Sequence, residues 1–194
     1  FYLFRLPFIT FVIDWLFASL VLVLLLTLAA HILNGGIVLA PPRPRVRNAT
    51  KAHLAVLLAI LALVKAADYW VTRYELTSVS RGIVRGPTYS VVNAQLPAVL
   101  LLTLIAVLVA GLYLSTLRTG SWRLPLIGSA LWAVMAIVGG IIYPAVIQAL
   151  VVNPNQSERE APYIERNVLA TRDALDIGDV EVVSAAFSLI STEE

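Results

Sequence analysis

LPAVLLLTLIAVLVAGLYLSTL, residues 96–117, carries no charged side chain over its whole length. At 1.5 Å per residue a helix of these residues reaches roughly 33 Å, enough to cross a hydrocarbon layer of about 30 Å. Pro97 falls in the first turn, where a missing N–H is tolerated. One transmembrane helix is therefore expected here, and the rest of the chain is read relative to it.

Three further apolar runs flank this one. Residues 8–33 contain an uncharged stretch from Trp15 to Ala30 and end in Asn34-Gly35-Gly36, which stops a helix. Residues 52–72 are apolar except for Lys65 and Asp68, three apart and so on one helical face. Residues 124–152 begin with Pro125 and hold Gly139-Gly140 and Pro144, so this helix is expected to bend near Pro144. All four runs are too long for the h-region of a secretory signal, which spans about 7–15 residues. With 59% hydrophobic and 13% charged residues, and a mean hydropathy of +0.86, lipid is expected to be the main solvent and partner of the chain.

After residue 152 the composition changes. Residues 153–194 hold nine of the twelve acidic side chains and no run able to cross a bilayer. A helix is expected over 161–175, opened by Pro162 or by a capping box of Ser157 and Glu160, with Ile164, Val168, Thr171 and Leu175 on one mainly apolar face. Residues 180–190 read weakly as a strand without partners. The fold class that follows is an all-α membrane protein: a bundle of four transmembrane helices over 1–152, then a soluble segment over 153–194 with a short helix and a strand.

Orientation follows from the short connections. Arg43, Arg45, Arg47, Lys51, Arg118 and Arg123 share one side with no acidic residue among them, which places loops 34–51 and 118–123 on the cytoplasmic side of the membrane. The polar connection 73–95 and the acidic tail then face outward. So does the N-terminus, which opens on Phe1; that calls either for an exported N-terminus or, the favoured reading, for an odd number of helices upstream. A formal charge of +2 gives no case for nucleic acid.

Charges at membrane depth point to function because they are expensive there. Asp14, Lys65, Asp68 and Arg73 form the candidate polar cluster, although each lies near a helix end where snorkelling and local pairing account for it. The runs 96–117 and 124–152 contribute no charge, so a relay across the bilayer is not expected. His31 and His53 lie near the cytoplasmic ends of the first two helices, in no metal-ligand spacing; neither a metal nor a cofactor is expected. Without cysteine, thiolate chemistry is excluded, and no nucleophile elbow, metalloprotease motif or phosphate-binding loop occurs, so an enzyme is not expected. Small residues four apart, Ala106 with Ala110, Gly111 with Ser115 and Ala136 with Gly140, allow close helix packing.

Three stretches then stand out together: DYWVTRYEL at 68–76; RGIVRGPTY at 81–89 running into NAQLP at 93–97; and EAPYIERN at 160–167 with ATR at 170–172. They resemble a large uncharacterised bacterial family of multi-pass membrane proteins, in which N-terminal helices precede a big extracytoplasmic region. The resemblance covers roughly 54–172. It implies that the 73–95 connection lies outside, and it brings no catalytic residue or cofactor. The expected role is a non-catalytic structural or accessory subunit of a larger membrane complex, respiratory or photosynthetic assemblies among the hosts. Its docking face would be Ile164, Val168 and Leu175. The alternative is part of a transporter or envelope-biogenesis component.

Overall fold

The computed structural model describes residues 1–38, 45–78, 80–81 and 84–178, with backbone alone for 80, 81, 84 and 85. The strand expected over 180–190 and Arg43 lie outside the described residues. Among these, four helical runs are long and apolar enough to cross a membrane: Arg5–Leu33, Asn48–Glu75, Val91–Thr119 and Arg123–Ala174.

Helix α1 (Arg5–Leu33) and helix α2 (Asn48–Glu75) overrun the apolar stretches that predict them, because Leu, Ala, Lys and Arg all sustain helix beyond the hydrophobic run. Between them, strands β1 (Ile37–Val38) and β2 (Arg45–Val46) pair antiparallel, Ile37 opposite Val46. A second ribbon follows α2, with β3 (Ser80–Arg81) antiparallel to β4 (Val84–Arg85). The all-α expectation therefore needs correcting by two short ribbons. Each lies in a connection, where period-2 pairing satisfies backbone groups that no helix claims.

Helix α3 (Leu96–Thr119) is entered through a wide turn of π geometry at Val91–Gln95 and stops at Gly120. That glycine takes φ +65° and donates its N–H to Thr116 O at 2.8 Å, a left-handed helix stop that glycine adopts without strain. The fourth run is segmented. Helix α4 (Arg123–Ile137) gives way to a π segment at Val138–Ile142, the short helix α5 (Tyr143–Ile147), a second π segment at Gln148–Val152, a single 3-10 turn at Asn153–Asn155, and helix α6 (Gln156–Ala174). The irregularity expected at Pro144 thus starts at Gly139-Gly140. Pro144 offers no N–H to the carbonyl of residue 140, and the backbone widens its turn there.

The core is a seam between α2 and α3, which run antiparallel. Ala55, Ala59, Ala62 and Ala66 line one face of α2; Ala98, Leu102, Ala106, Val109, Ala110 and Tyr113 line the facing side of α3. Ala55 and Ala106 have no exposed surface at all. Small side chains let two backbones approach closely, and van der Waals contact over that length substitutes for a hydrophobic drive that lipid would not supply. The alanine row on α2 was not anticipated, whereas Ala106 and Ala110 were; Gly111 instead faces open space. Helix α4 seats Gly128 against Leu112, and Ser129 Oγ lies 2.8 Å from Tyr113 Oη.

Among the described residues helix α1 packs mainly on α2 and buries only Leu6. Its Phe8, Phe11, Trp15, Leu22, Leu25 and Leu26 are well exposed, as are Leu131, Ile141 and Leu150 of the fourth run. Helices apolar on every side suit a surrounding of lipid or other helices rather than water.

Candidate functional site

The two ends of the bundle differ. At the end where α1 and α3 finish, the basic connections gather; His31 and His53, separated by 22 positions, meet across α1 and α2. His31 Nε2 lies 3.2 Å from His53 Nδ1, and Thr50 Oγ1 lies 3.3 Å from His31 Nδ1. The ring centroids are 5.4 Å apart. The two rings meet edge to face within hydrogen-bonding distance of each other, with Thr50 beside His31. Spacing along the chain gave no sign of this pair, because the contact is between helices.

Gly36 closes that end. A Cβ there would lie 2.7 Å from Thr50 Oγ1, 3.0 Å from His31 Nδ1 and 3.2 Å from His31 O. Gly36→Ala is expected to cost about 1–3 kcal/mol through this overlap. Detergent-titrated unfolding measures it, and an unchanged midpoint would show that the His31–Thr50 contact yields freely.

At the opposite end, the candidate polar cluster separates into parts. Lys65 Nζ pairs with Asp68 Oδ2 and lies over the Phe17 and Tyr69 rings, 5.6 and 5.1 Å from their centroids. The Arg73 guanidinium stacks 3.5 Å from the Trp70 centroid and donates to Tyr74 Oη, while its buried Nε finds no acceptor among the described residues. Asp14 is exposed on α1, and no hydrogen bond or ion pair reaches it among the described residues. The four therefore do not form one cluster. Glu75 joins this end instead, accepting a 2.6 Å hydrogen bond from Thr10 Oγ1 of α1.

The most developed arrangement is where the second and third resemblance-bearing stretches dock on each other. The Tyr89 N–H is directed at the Glu160 carboxylate, 3.2 Å from Oε1 and 3.1 Å from Oε2. Asn93 Nδ2 donates to Tyr163 Oη at 3.1 Å and to Tyr89 O at 2.9 Å. The Tyr89 and Tyr163 rings meet edge to face, centroids 6.4 Å apart. Gly86 lies under Asn167, so that a Cβ would come within 3.1 Å of its Oδ1. Glu160, Tyr163 and Asn167 are three and four apart and form the face of α6 that meets the start of α3.

The expected start of this helix changes. Helix α6 starts at Gln156 with Pro162 inside it, and no side-chain cap forms at Asn155. Ser157 and Glu160 make no capping box, because Glu160 is turned to the Tyr89 amide, which starts a helix of its own and has no intrahelical acceptor. The expected docking face, Ile164, Val168 and Leu175, is 42%, 50% and 64% exposed and turned away from the bundle, while the polar face of α6 makes the contact.

Beside this latch lies a cleft of about 200 Å³ lined by Tyr89, Glu158, Arg159, Pro162, Tyr163 and Arg166. Arg159 sits 5.4 Å from the Tyr89 ring centroid and Arg166 5.8 Å from that of Tyr163.

Residues 1–193 match the family described as Uncharacterised protein family (UPF0182). The chain is 47% identical over 189 residues to a UPF0182 protein of Kineococcus radiotolerans, covering 96% of this chain and 18% of that protein. It is 42% identical over 182 residues to one from Nocardioides, covering 94% and 18%, and 37% identical over 196 residues to one from Rhodococcus erythropolis, covering 100% and 20%. The chain thus spans about a fifth of the length of these curated relatives. No solved structure matches it. The docked stretches and the match over nearly every residue lead to one assignment: the chain belongs to the UPF0182 family.

Proposed function

We propose that this chain is a non-catalytic membrane scaffold, a structural subunit or segment that crosses the bacterial inner membrane four times and holds α6 in a set orientation on the outer side. The observation that carries this reading is the Tyr89–Glu160 contact, in which a buried seam is extended by a specific polar latch to a helix too polar to enter lipid. The basic connections face the cytoplasm, which their Arg and Lys content favours. Exposed Ile164, Val168 and Leu175 remain available to a partner within a larger complex.

The chain has no cysteine, so single cysteines can report on it without background. With cysteine placed at Thr119 or at Glu165, an impermeant maleimide applied to intact cells should label Glu165→Cys alone. Gentle extraction and native-gel separation should then show the chain migrating with stoichiometric companions. Labelling of Thr119→Cys from outside, or migration as a lone monomer with α6 freely mobile, would overturn the proposal.

A further inference from the structure

We infer that the cleft between Tyr89 and α6 is a binding site for a phosphodiester group. Arg159 and Arg166 are seven apart, hence on the same side of α6 two turns from each other, and both line the cleft. Among the described residues neither guanidinium is paired with a carboxylate; each lies over a tyrosine ring, which holds a cation in place without neutralising it. Planar guanidinium forks match phosphate oxygens, and two of them lining one cleft on the exposed side of α6 offer an anion two cationic donors. Glu160 is turned to the Tyr89 amide rather than to either guanidinium, and keeps its own negative charge behind the cleft.

The charge balance selects the ester. Glu158 also lines the cleft, so its three ionic groups sum to one positive charge. A phosphodiester, with one negative charge, balances the lining groups; a monoester, nearer two at neutral pH, meets added repulsion from Glu158 and from Glu160 behind it. The level is also suitable. Asn93 and Tyr89 precede the charge-free span at residue 96 by three and seven positions, or roughly 5–10 Å along a helix. Headgroup layers occupy roughly 5–8 Å on each side of the hydrocarbon. The phosphodiester of a lipid headgroup and that of a soluble glycerol phosphodiester share this chemistry. The inference rests on the membrane placement proposed above and not on the scaffold role.

The test uses the intact chain in nanodiscs of an uncharged galactolipid doped with phosphatidylglycerol or phosphatidic acid, followed by native mass spectrometry of retained lipid. The wild-type chain should keep one phosphatidylglycerol in preference to phosphatidic acid. Arg159→Gln with Arg166→Gln should reduce that adduct at least tenfold while leaving α6 as protease-resistant as before, which shows that the latch is intact. Glu158→Gln should shift retention toward phosphatidic acid. Displacement of the lipid by added glycerophosphoglycerol identifies a soluble ligand as a competent source; lack of displacement identifies the headgroup. Equal retention by the double variant, or no retained phospholipid in the wild-type chain, overturns the inference. Because cysteine labelling reads topology independently, failure of the membrane placement is distinguishable from failure of the site.

Discussion

Ala59→Leu is expected to unfold the bundle more readily than any exposed substitution. Ala59 is 1% exposed and belongs to the cluster with Ala62, Val109, Ala110 and Tyr113, where the two backbones are held close by the absence of larger side chains. Three added carbons have nowhere to go unless α2 and α3 separate, and separation surrenders contacts along the whole seam. Overpacking of this kind costs typically 1–3 kcal/mol, and a site with rigid helix on both sides belongs at the upper end, about 3 kcal/mol. Tryptophan fluorescence during SDS titration in mixed micelles reads the change, with Leu63→Ala on the exposed face of α2 as the comparison. A midpoint for Ala59→Leu within error of wild type would mean that the seam is not the stabilising contact.

Glu160→Ala is expected to release α6 without unfolding the bundle. It removes the only acceptor seen for the Tyr89 N–H among the described residues and loosens the Asn93–Tyr163 contact one helical turn away. Hydrogen bonds to a charged group contribute about 1.5–3 kcal/mol, and Glu160 is half-buried, so about 2 kcal/mol is expected. Hydrogen exchange at the Tyr89 amide should accelerate roughly thirtyfold, the factor that 2 kcal/mol implies, and protease should cut α6 sooner. Glu160→Gln keeps an oxygen acceptor and should recover part of the protection. Unchanged exchange in Glu160→Ala would show that the bundle holds α6 by other means.

The helices were legible because a charge-free run of about twenty residues has few other fates. Their ends were less so: α2 continues through Arg73 to Glu75, since helix formation does not stop where hydropathy does. The candidate site was legible only in part. Its residues sit within the stretches that carry the family resemblance, yet nothing local to Glu160 says that its carboxylate prefers an amide 71 positions away over its own helix N-terminus. Depth in the membrane likewise grouped Lys65, Asp68, Arg73 and Asp14 without saying how they would be arranged. Lys65 and Asp68 share a face and do pair, whereas Asp14 belongs to the other helix and points away. Contacts within an element follow from its period; contacts between elements depend on which faces the seam turns toward each other.

The two π segments between α4 and α6 make that stretch a rotary index. Each residue of a helix advances the side-chain direction by about 100°, so the number of residues between the α3-facing Gly128 and the latch sets the azimuth at which Glu160 arrives. Shortening the interval by a single residue would carry Glu160 a quarter-turn past Tyr89 and bring a different side chain to that position. Chain length is therefore part of the site's specification, as much as the identity of the residues that touch there.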